Sequence, residues 1–122
     1  MKNLKIRAFN NETQEMCDVI SIDFEKEEVR LRSLTNKKKE SKANFSNVTL
    51  LHSTGLKDKN GVEIYEGDLV QHSGLSYRFE GIVHFDVNGC YVENHIECIP
   101  MHDFSDIDKG TSNCLIIGNI YA

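Results

Sequence analysis

Short runs of alternating apolar and polar residues, each cut off by a turn, constrain this chain more than any other feature. Glu28-Val-Arg-Leu-Arg32 alternates cleanly, with Val29 and Leu31 on one face and Arg30 and Arg32 on the other. Leu4, Ile6 and Ala8 alternate with Lys5 and Arg7 in the same way, up to a turn signal at Asn10-Asn11. Val19-Ile-Ser-Ile-Asp-Phe24 is rich in strand formers. A period of two is the period of a strand, and no segment shows the helical period of 3.6 as strongly. The first part of the chain therefore reads as a small antiparallel sheet with one wet face.

Residues 36–42, Asn-Lys-Lys-Lys-Glu-Ser-Lys, contain no apolar side chain and read as a solvated loop. Phe45, Val48, Leu50 and Leu51 bring the chain back to a core. Asp58-Lys-Asn-Gly61 is a tight turn, and Glu66-Gly67-Asp68 is a second reversal between Ile64-Tyr65 and Leu69-Val70. Tyr77 to Phe85 follows as a strand, with Gly81 as a bend or bulge. Asn88-Gly89 is a two-residue hairpin signal, and Cys90-Tyr-Val-Glu93 is its returning partner. Residues 95–101 read as a short strand, Asp103–Gly110 has room for one helical turn, and Leu115–Tyr121 is a last strand. Short strands at this spacing predict a small barrel, which removes exposed edges. The expected organisation is an N-terminal β lobe over 1–48 and a barrel over 49–122.

A chain of 122 residues suffices for one domain or two small lobes. Its 39% hydrophobic content is too high for a disordered chain, and no apolar run reaches the length of a membrane span. The N-terminal residues lack the apolar stretch of a signal peptide, so the expected compartment is the cytoplasm. There Cys17, Cys90, Cys98 and Cys114 stay reduced, and none forms a C-x-x-C redox pair. Charge is unevenly spread. Residues 1–60 hold 12 Lys/Arg against 9 Asp/Glu, while residues 61–122 hold 2 against 10. Two surfaces of opposite sign attract, within a chain or between copies.

The segments Lys5-Ile-Arg-Ala-Phe9, Thr54-Gly-Leu-Lys-Asp-Lys-Asn-Gly61, Glu63-Ile-Tyr-Glu-Gly-Asp-Leu-Val70, Gly81-Ile-Val-His-Phe85 and Ile117-Gly-Asn-Ile-Tyr121 together resemble the YopX family over nearly the whole chain. The chain departs at Phe9, where the family often has Trp, and at Leu51-His52, where it usually has a Gln-aromatic pair. The resemblance implies a protein of bacteriophages and prophages. It also implies that the second half is an SH3-like β-barrel, so the expected fold is mainly β. Its family is largely of unknown function. SH3-like barrels bind through the loops at their mouth, which makes Lys57, Asp58, Tyr65, Glu66 and Asp68 the expected partner-binding rim. The same residues also have a structural use. Gly55, Gly61 and Gly67 supply unusual backbone conformations, and Asp58 and Asp68 accept from turn amides.

Catalytic and metal chemistry find little support. Cys90, His95, Cys98 and His102 lie close in sequence, but their spacing fits no common zinc pattern, and on one strand His95 and Cys98 face opposite sides. Asp58-x-Asn60-Gly61 opens like a calcium loop but lacks the later ligands. No motif frames a nucleophilic cysteine, and no glycine loop carries the Lys-Ser/Thr that binds phosphate. The expectation is a non-enzymatic protein-interaction module, without cofactor or metal, that self-assembles. The alternative is weak nucleic-acid binding through Lys37, Lys38, Lys39 and Lys42, although no aromatic residue interleaves them for base stacking.

Overall fold

The alternating runs become strands. The computed structural model describes residues 5–36, 38–73, 78–86, 89–106 and 108–121; Leu4, Lys37, Tyr77 and Asn88 lie outside them. Over these residues the chain is mainly β, with two short 3-10 turns at Phe45–Asn47 and Met101–Phe104. Contacts divide it into two units, one running to His52 and including Tyr121, the other spanning Ser53–Ile120.

In the first unit, β1 (Ile6–Asn10), β2 (Glu15–Asp23), β3 (Glu28–Ser33), β4 (Glu40–Asn44) and the start of β5 (Val48–Lys57) pair antiparallel in the order β4-β3-β2-β1-β5. Val29 and Leu31 are fully buried beside Ala8, Cys17 and Val19. Burying a side chain of this size contributes about 1.5–3 kcal/mol. Arg30 and Arg32 take the opposite face, as the alternation requires. A register shift between Val19 and Ser21 lets Val19 and Ile22 serve the same core. Strict alternation would have put them on opposite faces, and a bulge corrects the parity. Asn10 holds the β1–β2 turn, its side-chain oxygen accepting from the amides of Glu12 at 3.0 Å and Thr13 at 3.3 Å.

The loop expected over 36–42 is shorter than the sequence implies. Glu40–Asn44 is strand β4, paired with β3 from Glu28↔Asn44 to Arg32↔Glu40. It is an edge strand, and charged residues are what keep such an edge from pairing with other chains. Its polarity reflects that outer position. The change of unit falls at His52–Ser53, inside β5, so a strand beginning at Val48 carries the chain through the expected lobe boundary.

The second unit contains β6 (Glu63–Tyr65), β7 (Asp68–Ser73), β8 (Arg78–Asp86), β9 (Gly89–Glu93), β10 (Cys98–Pro100), β11 (Ser105–Asp106), β12 (Thr111–Ser112) and β13 (Leu115–Asn119). A five-stranded sheet runs β10-β9-β8-β7-β13, while β6 and β12 pair with the end of β5, and β11 pairs with β12. Neither sheet closes into a barrel among the described residues. β10 stops after three residues at Pro100, which has no N–H to continue a ladder. The 3-10 turn comes at once after it, earlier than the turn expected over 103–110. Leu56, Ile64, Val70, Phe79, Val83, Val92, Met101 and Cys114 form the core of this unit. No helix among the described residues is long and apolar enough to cross a membrane.

Gly81 is not a bulge. It pairs in regular register with Val70. What requires glycine is the close approach of β9: a Cβ at this position would lie 2.8 Å from the Glu93 carbonyl oxygen and 2.8 Å from Val92 Cγ1. A backbone atom cannot yield as a flexible side-chain tip can. Gly81→Ala is expected to destabilise the protein by about 1–3 kcal/mol, the usual range for overpacking. Urea denaturation checks this, and a variant as stable as the parent would contradict it.

Candidate functional site

The Asp58–Gly61 turn is built around one carboxylate. Asp58 Oδ1 accepts from the amides of Asn60 and Val62 at 2.9 Å each, and Oδ2 accepts from the Ile116 amide at 3.1 Å. Asp58 is only 5% exposed. Alongside it, the Lys59 amide donates to the Cys114 carbonyl at 3.0 Å. These bonds fix the start of β13 to a turn 58 residues earlier in the chain.

Asp68 does the same at the other end. Its Oδ2 accepts from the Tyr65 amide at 2.8 Å, and its Oδ1 accepts from the Asn119 side-chain amide at 3.0 Å. Between Tyr65 and Asp68, Gly67 adopts φ 87°, a conformation that side chains disfavour. Its amide donates to the Val83 carbonyl at 2.8 Å, and its carbonyl accepts from the Ile120 amide at 3.0 Å. The expected five-residue rim is therefore not displayed as one surface. Asp58, Tyr65 and Asp68 are buried, while Lys57 is exposed and Glu66 half-buried.

A surface the sequence reading did not single out lies on the sheet nearby. Leu69, Gly81 and Ile82 floor an open groove of about 480 Å³, with Glu80, His84 and Glu93 along it. The His84 ring stacks on Tyr91 at 5.3 Å, and its Nε2 is 3.6 Å from the Glu93 carboxylate. At one end, Asn94 locks a tight turn: its side-chain oxygen accepts from the amides of Ile96 at 2.8 Å and Glu97 at 2.9 Å. Ile96 is thereby held out at 87% exposure. The signal in the sequence was the set Glu80, Ile82, His84, which shares the outer face of β8.

Residues 5–122 match the family described as YopX protein. The chain belongs to the YopX family. In structure it is similar to protein EF1440 from Enterococcus faecalis, with a TM-score of 0.59 and 22% identity over 96% of this chain and 92% of that one. At that identity the likeness shows a shared fold. No curated protein matches the chain.

The other candidates of this YopX-family chain fall outside the signature in sequence, though Cys90 lies near Glu66 and His95 lines the groove beside Leu69. Lys38 and Lys42 are exposed, and Lys37 is outside the described residues. Lys39 Nζ is 3.7 Å from Glu15, and Arg30 and Arg32 share Glu40 at 2.9 and 3.2 Å. Cys90 packs against the core, while His95, Cys98 and His102 are exposed. Among the described residues no three His, Cys, Asp or Glu side chains converge where an ion could sit.

Burial pushes the thiols of Cys17, Cys90 and Cys114 up from their usual range, and Glu66 adds to the effect at Cys90. Less thiolate means slower alkylation. Exposed Cys98 is expected to take up iodoacetamide first in the folded protein at neutral pH, with Cys17 and Cys114 reacting only on unfolding. Peptide mass mapping reads the order, and Cys114 reacting as fast as Cys98 would contradict it.

Asp58→Ala removes the acceptor of three backbone amides at once. It should cost about 1–3 kcal/mol, the penalty for one buried donor left unsatisfied, because the half-buried Ile116 amide loses its acceptor while the amides of exposed Asn60 and Val62 can turn to water. Lys57→Ala, one residue away but exposed, should stay within about 0.5 kcal/mol. Thermal melts of the two variants side by side test this, and equal melting temperatures would contradict it.

Proposed function

We propose that this chain is a non-enzymatic accessory protein of a phage or prophage, acting in the cytoplasm of the bacterial host by binding protein, further copies of itself included. The observation that carries the reading is the separation of charge: 12 Lys/Arg against 9 Asp/Glu in residues 1–60, and 2 against 10 in residues 61–122. Complementary patches steer partners together and fix their register. In the signature, the carboxylates of Asp58 and Asp68 are engaged in holding β13, which favours a structural role for them over acid–base chemistry.

The strand order of the second unit supports an SH3-like reading of it. The last strand, β13, returns beside β7, the first of the five, after a 3-10 turn and the short strands β11 and β12. This order favours an SH3-like unit, a fold that serves many binding functions, although the sheet stays open among the described residues. A nucleic-acid reading is less favoured. No aromatic residue interleaves Lys37, Lys38, Lys39 and Lys42 to stack on bases, and residues 61–122 carry 10 Asp/Glu against 2 Lys/Arg, which repels phosphates.

Self-association driven by charge weakens with salt. Between about 0.1 M and about 1 M, the screening length falls from about 10 Å to about 3 Å. Light scattering on the eluting protein should show a multimer at the lower salt and a monomer at the higher. A monomer at both, or a multimer unchanged by salt, would overturn the mechanism.

A further inference from the structure

We infer that the groove on β7, β8 and β9 receives Lys38, Lys39 and Lys42 of a second copy of this chain. The inference rests on the self-association proposed above and names its two surfaces. Leu69 and Ile82 give the groove an apolar floor, and Glu80 and Glu93 give it negative charge. The segment that fits must supply aliphatic length and positive charge together. A lysine does both, laying its methylene stem on apolar surface while its ammonium reaches a carboxylate.

Lys38, Lys39 and Lys42 have that chemistry, and they outnumber the exposed Lys57 and Lys59, which flank the Asp58 carboxylate. Lys38 and Lys39 are exposed in the β3–β4 turn, and Lys42 is exposed on the adjoining edge strand. Among the described residues neither Lys38 nor Lys42 is in an ion pair, and Lys39 approaches Glu15 only at 3.7 Å. The rival segment is the β2–β3 turn, where Phe24 stands 77% exposed. That turn carries Asp23, Glu25, Glu27 and Glu28 against Lys26 alone, and an acidic groove repels it. On the groove side, Glu80 faces Arg78 at 3.0 Å, but the pair is exposed, and such pairs exchange readily with an incoming cation. Ile96, fixed outward by Asn94, adds an apolar edge beside the groove.

Groove and turn are different patches, so each copy has one donor and one acceptor surface. Contacts of this kind join head to tail, closing into a ring or growing as a chain. The test is a charge swap. Glu80→Lys with Glu93→Lys reverses the groove; Lys38→Glu with Lys39→Glu and Lys42→Glu reverses the turn. At about 0.1 M salt each variant alone should elute as a monomer by light scattering, with the parent's circular dichroism. Mixed in equal amounts, they should regain the parent's multimeric mass, because reversed groove meets reversed turn. If a reversal unfolds the chain, Glu80→Gln with Glu93→Gln and Lys38→Gln with Lys42→Gln replace it, each expected to weaken association at least tenfold. A parent multimer whose mass these variants leave unchanged would overturn the two surfaces while leaving self-association standing. A parent that is monomeric at every concentration would overturn both.

Discussion

Two buried aspartates grip opposite ends of one strand, and the second unit depends on that grip. Asp58 holds β13 at Ile116, and Asp68 holds it at Asn119. Between these points β13 pairs with β7 through a register shift at Ile116/Gly118, so its own ladder is irregular. A short strand with an interrupted ladder has few bonds to fix its position. The aspartates supply charge-assisted ones from outside the sheet, and these are about twice as strong as neutral bonds. Cys114, at the entrance to β13, is then held in the core with Leu56, Ile64 and Met101.

At the two turns of the YopX signature, the backbone conformation and the carboxylate beside it serve the packing of β13. Gly61 and Gly67 let the chain reverse with positive φ, and each reversal positions a carboxylate that bonds β13. Among the exposed charges, Lys38, Lys39 and Lys42 cluster near β4, and Glu80 and Glu93 line the groove on β8 and β9. Such a division costs the fold little, because exposed charges contribute weakly to stability. It matters for what the molecule meets.

Much of the fold was legible in the residues. Val29 and Leu31 against Arg30 and Arg32 gave both the strand and its buried face, because period two admits no other reading. The bulge near Ile20 was not legible: Val19-Ile-Ser-Ile carries no residue that marks where parity breaks. Residues 40–42 read as loop because an edge strand and a solvated loop have the same polar composition. The barrel failed for a different reason. Counting strands says nothing about whether the two edges of a sheet exchange hydrogen bonds, and here β10 and β13 do not pair among the described residues, while the end of β5 takes β6 and β12. At the signature, Asp58 and Asp68 were legible as turn acceptors. Their second bonds, to Ile116 and Asn119, span half the chain and leave no local trace. The groove was hidden because Glu80, Ile82 and His84 read as an ordinary mixed face until β9 and Asn94 are set beside them.

The sequence distance between each aspartate and its partner also sets a clock. Asp58 and Asp68 leave the ribosome 58 and 51 residues before the groups they bind. At about 5–20 residues per second, that interval is on the order of 3–12 s. Throughout it the nascent chain carries two carboxylates with part of their bonding unmade, and a core lacking its last strand. The second unit is therefore a latecomer by construction, exposed to chaperones and proteases for seconds while the first unit already has every strand it needs for its sheet.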